Sequence, residues 1–148
     1  MKPRTKARSI ALQALFEIDL TGHLPGTVLE QRLVENPLPE GGLSDFVIEI
    51  IQGVIKYRAN LDELIAQYAP DWPLDQVASI DRNILRIALW EMALHSDTPI
   101  KVTINEAVEL SKAFGSESTP RFVNGVLGSL ADQVNEIRQD FKQLTKEA

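Results

Sequence analysis

Cysteine is absent from this 148-residue chain, which excludes disulfides, thiolate metal sites and a cysteine nucleophile. Histidine is almost absent. His23 and His95 lie in separate segments, and neither stands at metal-ligand spacing from a second His or a paired carboxylate. There is no Gly-rich phosphate loop and nothing resembling a nucleophile elbow. Glu106 and Glu109 are close on one helix, but capping accounts for the first and solvation for the second. No constellation for catalysis assembles, so neither an enzyme nor a bound cofactor or metal is expected. No apolar run approaches the length of a membrane span, and the N-terminus lacks the apolar core of a signal peptide. A cytoplasmic protein is the expectation. Period-two alternation over a strand's length is also missing, as is any repeat at solenoid period. The expected class is therefore all-α, in a single compact domain spanning residues 1–148 with about seven helices.

Positive charge is scarce overall, and its distribution is uneven. The chain carries 15 basic and 21 acidic residues, a net charge of −6. Yet Lys2, Arg4, Lys6 and Arg8 fall within the first eight residues, and no acid precedes Glu17. An acidic body with a cationic arm points to nucleic acid, against the plainer reading of a solvated terminus.

Hydrophobic spacing predicts a first helix from about Arg4 to Leu20, with Ala7, Ile10, Ala11, Ala14, Leu15 and Ile18 as its buried stripe. Arg4 and Arg8 share a face one turn apart. A modest helix is expected from Thr27 to Val34, then a Pro/Gly loop and a helix capped by Ser44. Another starts at Asn60, with Glu63 in the capping-box position. Pro70 and Pro73 bracket Trp72 in a break, followed by a short helix near Leu74–Ala78. Ile80 to Leu94 is apolar around most of its circumference, as a central helix should be. Arg82, Arg86 and Trp90 form its remaining strip, where an Arg–Trp cation–π pair is a structural option.

The stretch from Thr103 to Leu130 is the most distinctive. Thr103 and Glu106 have the spacing of a capping box, and Gly115 suits a left-handed position after the helix. Thr119-Pro120 starts another helix as N-cap and first residue. Val123, Val126, Leu127, Leu130, Val134, Ile137 and Phe141 form its long core stripe, which runs to the tail that should fray from Thr145. Phe122 falls on the margin of that stripe, while Arg121, Gly125 and Gly128 fall on the side away from the core. Each mid-helix glycine costs roughly 1 kcal/mol relative to Ala. Either a neighbouring helix or a ligand comes close; helix packing is the expectation. The cationic arm, a marginal aromatic and an uncovered helix start together suit single-stranded nucleic acid, with Phe122 and Tyr68 as stacking groups.

The string from Ile104 to Gly115 (INEAVELSKAFG), followed by Arg121-Phe122-Val123-Asn124-Gly125-Val126-Leu127, resembles the NusB transcription antitermination factors. So do Ile84–Glu91 and the arm leading into Ala11–Phe16, and the likeness extends in order over essentially the whole chain. It implies an all-helical fold of two helical subdomains. It also implies binding of boxA RNA jointly with a small-subunit ribosomal protein, NusE, within the RNA polymerase antitermination complex. Read-through of terminators, notably in ribosomal RNA operons, follows. By the same resemblance the RNA surface comprises Lys2, Arg4, Lys6, Arg8, Tyr68, Glu117, Ser118, Arg121 and Phe122. The protein-partner face comprises Phe16, Leu20 and Asp81. Position 118 is often acidic in such proteins, so Ser118 removes a charge facing RNA. Two alternatives remain: a helical adaptor that binds protein without RNA, and an RNA-binding appendage of an RNA methyltransferase. Because the chain ends without a catalytic domain, a free-standing factor is favoured, and a homodimer that hides the RNA face is possible.

Overall fold

The computed structural model describes residues 2–147, without the side chains of Leu74 and Glu147. Among these residues there are eight α-helices, one 3₁₀ turn and no strand. Contacts divide the chain into two compact units, one ending at Arg58 and one beginning at Ala59.

The first unit is built from α1 (Pro3–Thr21), α2 (Pro25–Glu35) and α3 (Leu43–Lys56). Pro3 and Pro25 stand in the first turns of α1 and α2, where a missing N–H costs nothing. Gly22 ends α1 at φ +72°, its N–H bonded to the Ile18 carbonyl. The small residues Ala7, Ala11 and Ala14 let α1 come close to α3, whose Phe46, Val47, Ile50, Ile51 and Val54 complete the core with Ile10, Leu12 and Leu15. Gly42, at φ +85°, is the N-cap of α3, so Ser44 lies inside the helix rather than at its cap. On the outer side, Arg32 of α2 donates to Gln13 and Glu17 of α1 at 3.2 and 3.0 Å. Bonds from His23 and Arg32 hold the Glu17 carboxyl below its usual range. Arg58 donates to Asp19 at 2.7 Å.

The second unit comprises α4 (Arg58–Tyr68) beyond its first residue, a 3₁₀ turn at Leu74–Gln76, α5 (Ser79–Leu94), α6 (Ile100–Phe114), α7 (Thr119–Ala131) and α8 (Val134–Glu147). The apolar α5 packs against α6, α7 and α8 and is buried from Asn83 to Ala93. The Arg86 guanidinium is pinned by both oxygens of Asp62, at 2.6 and 2.8 Å, which ties α5 to α4. Trp90 stacks on His95 with ring centroids 5.2 Å apart. These contacts stand where an Arg86–Trp90 pairing was an option. Arg138 donates to the Met92 carbonyl at 2.8 Å and fastens α8 to the end of α5.

Several expected boundaries move. The stripe ending at Phe141 spans two helices, because a tight turn at residues 132–133 interrupts it; the Gln133 N–H bonds to the Leu130 carbonyl. Both helices face the same core, so the apolar period runs on through the turn. α4 begins at Arg58, two residues before Asn60. α6 begins at Ile100 behind Pro99, which places Thr103 a full turn inside. Thr103 is only 1% exposed and its hydroxyl has no partner among the described residues, so the expected capping box is not formed. α8 continues to Glu147 rather than fraying from Thr145; residues 1 and 148 lie outside the described residues.

Candidate nucleic-acid interface

The corner between α6 and α7 is built around Thr119. Gly115 is extended (φ −88°, ψ −175°), not left-handed as expected. What requires glycine there is space: a Cβ on Gly115 would lie 2.5 Å from Thr119 Cβ. The Thr119 hydroxyl accepts from the Ser116 N–H at 2.9 Å and donates to the Asp81 carboxylate at 3.0 Å. It therefore closes the turn backward and ties α7 to α5, rather than capping the N–H groups of its own helix. Burial raises the Asp81 pKa above its ordinary value, opposed by the bond from Thr119.

The rigid corner fixes the first turns of α7. Arg121 is exposed there, Phe122 is half-buried, and Glu117 and Ser118 stand exposed in the preceding turn. Trp72, from the loop after α4, meets Phe122 edge-on with centroids 6.0 Å apart and planes at 65°. A recess of about 330 Å³ is lined by Trp72, Asp81, Ser118, Arg121 and Phe122 among others. A second, of about 280 Å³, is lined by Tyr68, Asp71, Trp72, Arg121, Phe122 and Gly125 among others. Trp72, Arg121 and Phe122 line both, and so form a ridge between two neighbouring hollows.

The structure thus brings together Tyr68, Ser118, Arg121 and Phe122, four of the residues expected at an RNA surface. Asp81, expected on the protein-partner face, lines the same first recess. Gly125 and Gly128 do not serve helix packing: a Cβ on either would meet nothing within 4 Å among the described residues. Trp72 is the residue that sequence reasoning missed as a site candidate. It is 58% exposed, and its signal was a tryptophan set between two prolines, outside every core stripe.

In the first unit, Lys2 and Arg4 are exposed and Lys6 is half-buried. Arg8 departs from the expectation of an outer basic face. It is 3% exposed, with its guanidinium 5.3 Å from the Phe46 ring centroid. The Arg4 guanidinium lies over the same ring at 4.2 Å. One ring therefore organises both arginines, Arg4 at the surface and Arg8 inside. Phe16 is half-buried and Leu20 is 64% exposed; Leu24 and Val34 are exposed as well. Among the described residues no group of three or more His, Asp or Glu is arranged to hold a metal, and no helix is long and apolar enough to cross a membrane.

Comparison with known proteins decides the family. A profile described as the NusB family matches residues 5–132. The transcription antitermination protein NusB of Dehalococcoides mccartyi (strain CBDB1) is 49% identical over 137 residues, covering 90% of this chain and 95% of that protein.

The chain belongs to the NusB family.

The NusB of Bacillus subtilis (strain 168) is 40% identical, with 92% of this chain and 99% of that protein covered. Among solved structures, T. maritima NusB superimposes with a TM-score of 0.82 at 32% identity, covering 89% of this chain and 92% of that one. A crystal structure of the antitermination factors NusB and NusE in complex with dsRNA matches at TM-score 0.79 and 22% identity, covering 95% and 98%. The NusB fold accounts for the all-helical architecture, and α5 is the central helix of its second unit.

Proposed function

We propose that this NusB-family chain is a non-catalytic transcription antitermination factor of the cytoplasm, binding boxA RNA together with the ribosomal protein NusE. In this role it promotes read-through by RNA polymerase. The observation that carries the reading is the ridge of Trp72, Arg121 and Phe122, which sets exposed aromatic surface beside a cation and so offers groups for a base and for a phosphate. Relatives at 40–49% identity carry the name transcription antitermination protein NusB. A similar fold occurs in a NusB that was crystallised with NusE and RNA.

The division of labour follows from exposure and chemistry. Lys2, Arg4 and Lys6 reach solvent and contact phosphates, as does Arg121. Arg8, enclosed beside Phe46, holds the arm in place rather than touching RNA. Phe122 stacks on a base, with Tyr68 at the edge of the same hollow. Glu117 and Ser118 border the approach, and the neutral Ser118 leaves it less repulsive to phosphate. Phe16 and Leu20 supply apolar surface for NusE. Asp81 acts mainly through Thr119, by keeping the corner rigid.

Titration of boxA RNA at several salt concentrations, with and without NusE, tests the reading. Four phosphate contacts predict a log–log slope near −3, from about −0.7 per phosphate on single strands. No binding under either condition would leave a helical adaptor that recognises protein alone.

A further inference from the structure

Trp72 is a large aromatic side chain left mostly in solvent, yet its position is defined. Its backbone N–H bonds to the Ala69 carbonyl at 3.1 Å, the Gln76 backbone N–H bonds to the Pro73 carbonyl at 2.8 Å, and its ring rests edge-on against Phe122. A tryptophan held in this way exposes an apolar face at little further cost in side-chain freedom, which suits it to stacking. Across the ridge, α7 has no side chain at Gly125. That glycine is exposed, lines the second hollow, and would accept a Cβ with no contact from the described residues. A helical glycine that loses stability and relieves no internal crowding leaves bare backbone facing the hollow.

Charge decides what such a pair of hollows fits. Asp81 lines the first, Asp71 lines the second, and Arg121 lines both. A phosphate is repelled by either carboxylate and attracted to Arg121, whereas base edges and faces are compatible with the hollows themselves. Building on the RNA-binding reading above, we infer that Trp72 and Phe122 form a two-sided platform for two successive unpaired RNA bases. The linking phosphate lies at Arg121, and the second base lies over the bare backbone at Gly125. Trp72 is thus a direct base contact, and Gly125 is kept small for the ligand rather than for the fold.

The experiment uses the full chain with boxA RNA, measuring affinity by anisotropy of end-labelled RNA and, separately, tryptophan emission. The chain has two tryptophans, and Trp90 is buried, so a change of emission on binding reports Trp72. RNA should quench the emission, and Trp72→Phe should abolish the quenching. Trp72→Ala should weaken binding roughly 5- to 150-fold, the range for one base–aromatic stack. Gly125→Leu should fold at least as well as the parent and still bind RNA at least fivefold more weakly. Undiminished RNA affinity in Trp72→Ala and Gly125→Leu, with unchanged emission on binding, would overturn the platform while leaving RNA binding intact. Absence of binding by the parent chain, even with NusE present, would instead remove the RNA-binding reading, and this inference with it.

Discussion

The side chain of Thr119 occupies the space where Gly115 would carry a Cβ, so the two residues that bound the α6–α7 turn fit only as a pair. Gly115→Ala would force Thr119 to move, along with its bonds to the Ser116 N–H and to Asp81. Overpacking of this kind costs about 1–3 kcal/mol. A lower urea midpoint with an unchanged m-value is the expected result; parental stability would show that the corner adjusts freely.

The opposite outcome is expected one helix further on. Gly125→Ala adds a Cβ that meets nothing and replaces a poor helix former with the best one. Stability should rise by about 0.5–1 kcal/mol, measurable by the same denaturation. A loss would mean that α7 is packed there after all.

The bidentate pair of Arg86 and Asp62 is enclosed on the arginine side, whose side chain is 5% exposed. Asp62→Ala removes both carboxylate oxygens from the guanidinium and should cost roughly 3 kcal/mol. Replacing both residues by apolar ones of similar volume should cost much less. Equal losses for the single and double replacements would indicate that packing matters here, not charge.

The two arm arginines should separate cleanly. Arg4→Ala is expected to lower the steepness of the salt dependence of RNA binding by about 0.7 while leaving stability almost unchanged. Arg8→Ala should cost roughly 1–3 kcal/mol of stability through lost packing and leave that steepness alone. The reverse pattern would place Arg8, not Arg4, against phosphate.

Asp81 gives a pH signature. Burial raises its pKa in the fold above the ordinary 3.8, so between those two values the native state binds more protons than the unfolded chain. Stability contributed by this group is then largest in acid and falls as pH rises through the raised value. In Asp81→Asn, which can still accept from Thr119, that fall is absent. The stability of the variant relative to the parent should therefore climb from pH 3.8 upward and level off above the raised pKa. A flat difference across that range would exclude a perturbed Asp81.

The regions legible in the sequence were those governed by local periodicity. The stripe in α1 from Ala7 to Leu15 and the nearly all-round apolar α5 follow from spacing alone, because each helix repeats its buried face every three to four residues. Helical spacing also marked Phe122 as marginal, and the flanking Pro70 and Pro73 marked Trp72 as lying in a break. Boundaries were less legible. The Thr103–Glu106 pattern resembled a helix start although the chain was already helical, and the stripe through Leu130 and Ile137 ran unbroken across a real turn. In both cases a local signal is compatible with two backbone paths, and burial against neighbouring helices selects one.

Composition and pattern by themselves determined the helical class and the cationic arm, while the family entered through motifs that resemble NusB and was decided by comparison with known proteins. Tertiary structure decided which cations remain in water, since Arg4 and Arg8 are alike in sequence and differ only in their placement around Phe46. It also decided the meaning of the glycines. Gly115 is small because a threonine from the next helix fills its space, and Gly125 is small although none of the described residues does. Such distinctions depend on what lies across space from a residue, which its neighbours along the chain do not record.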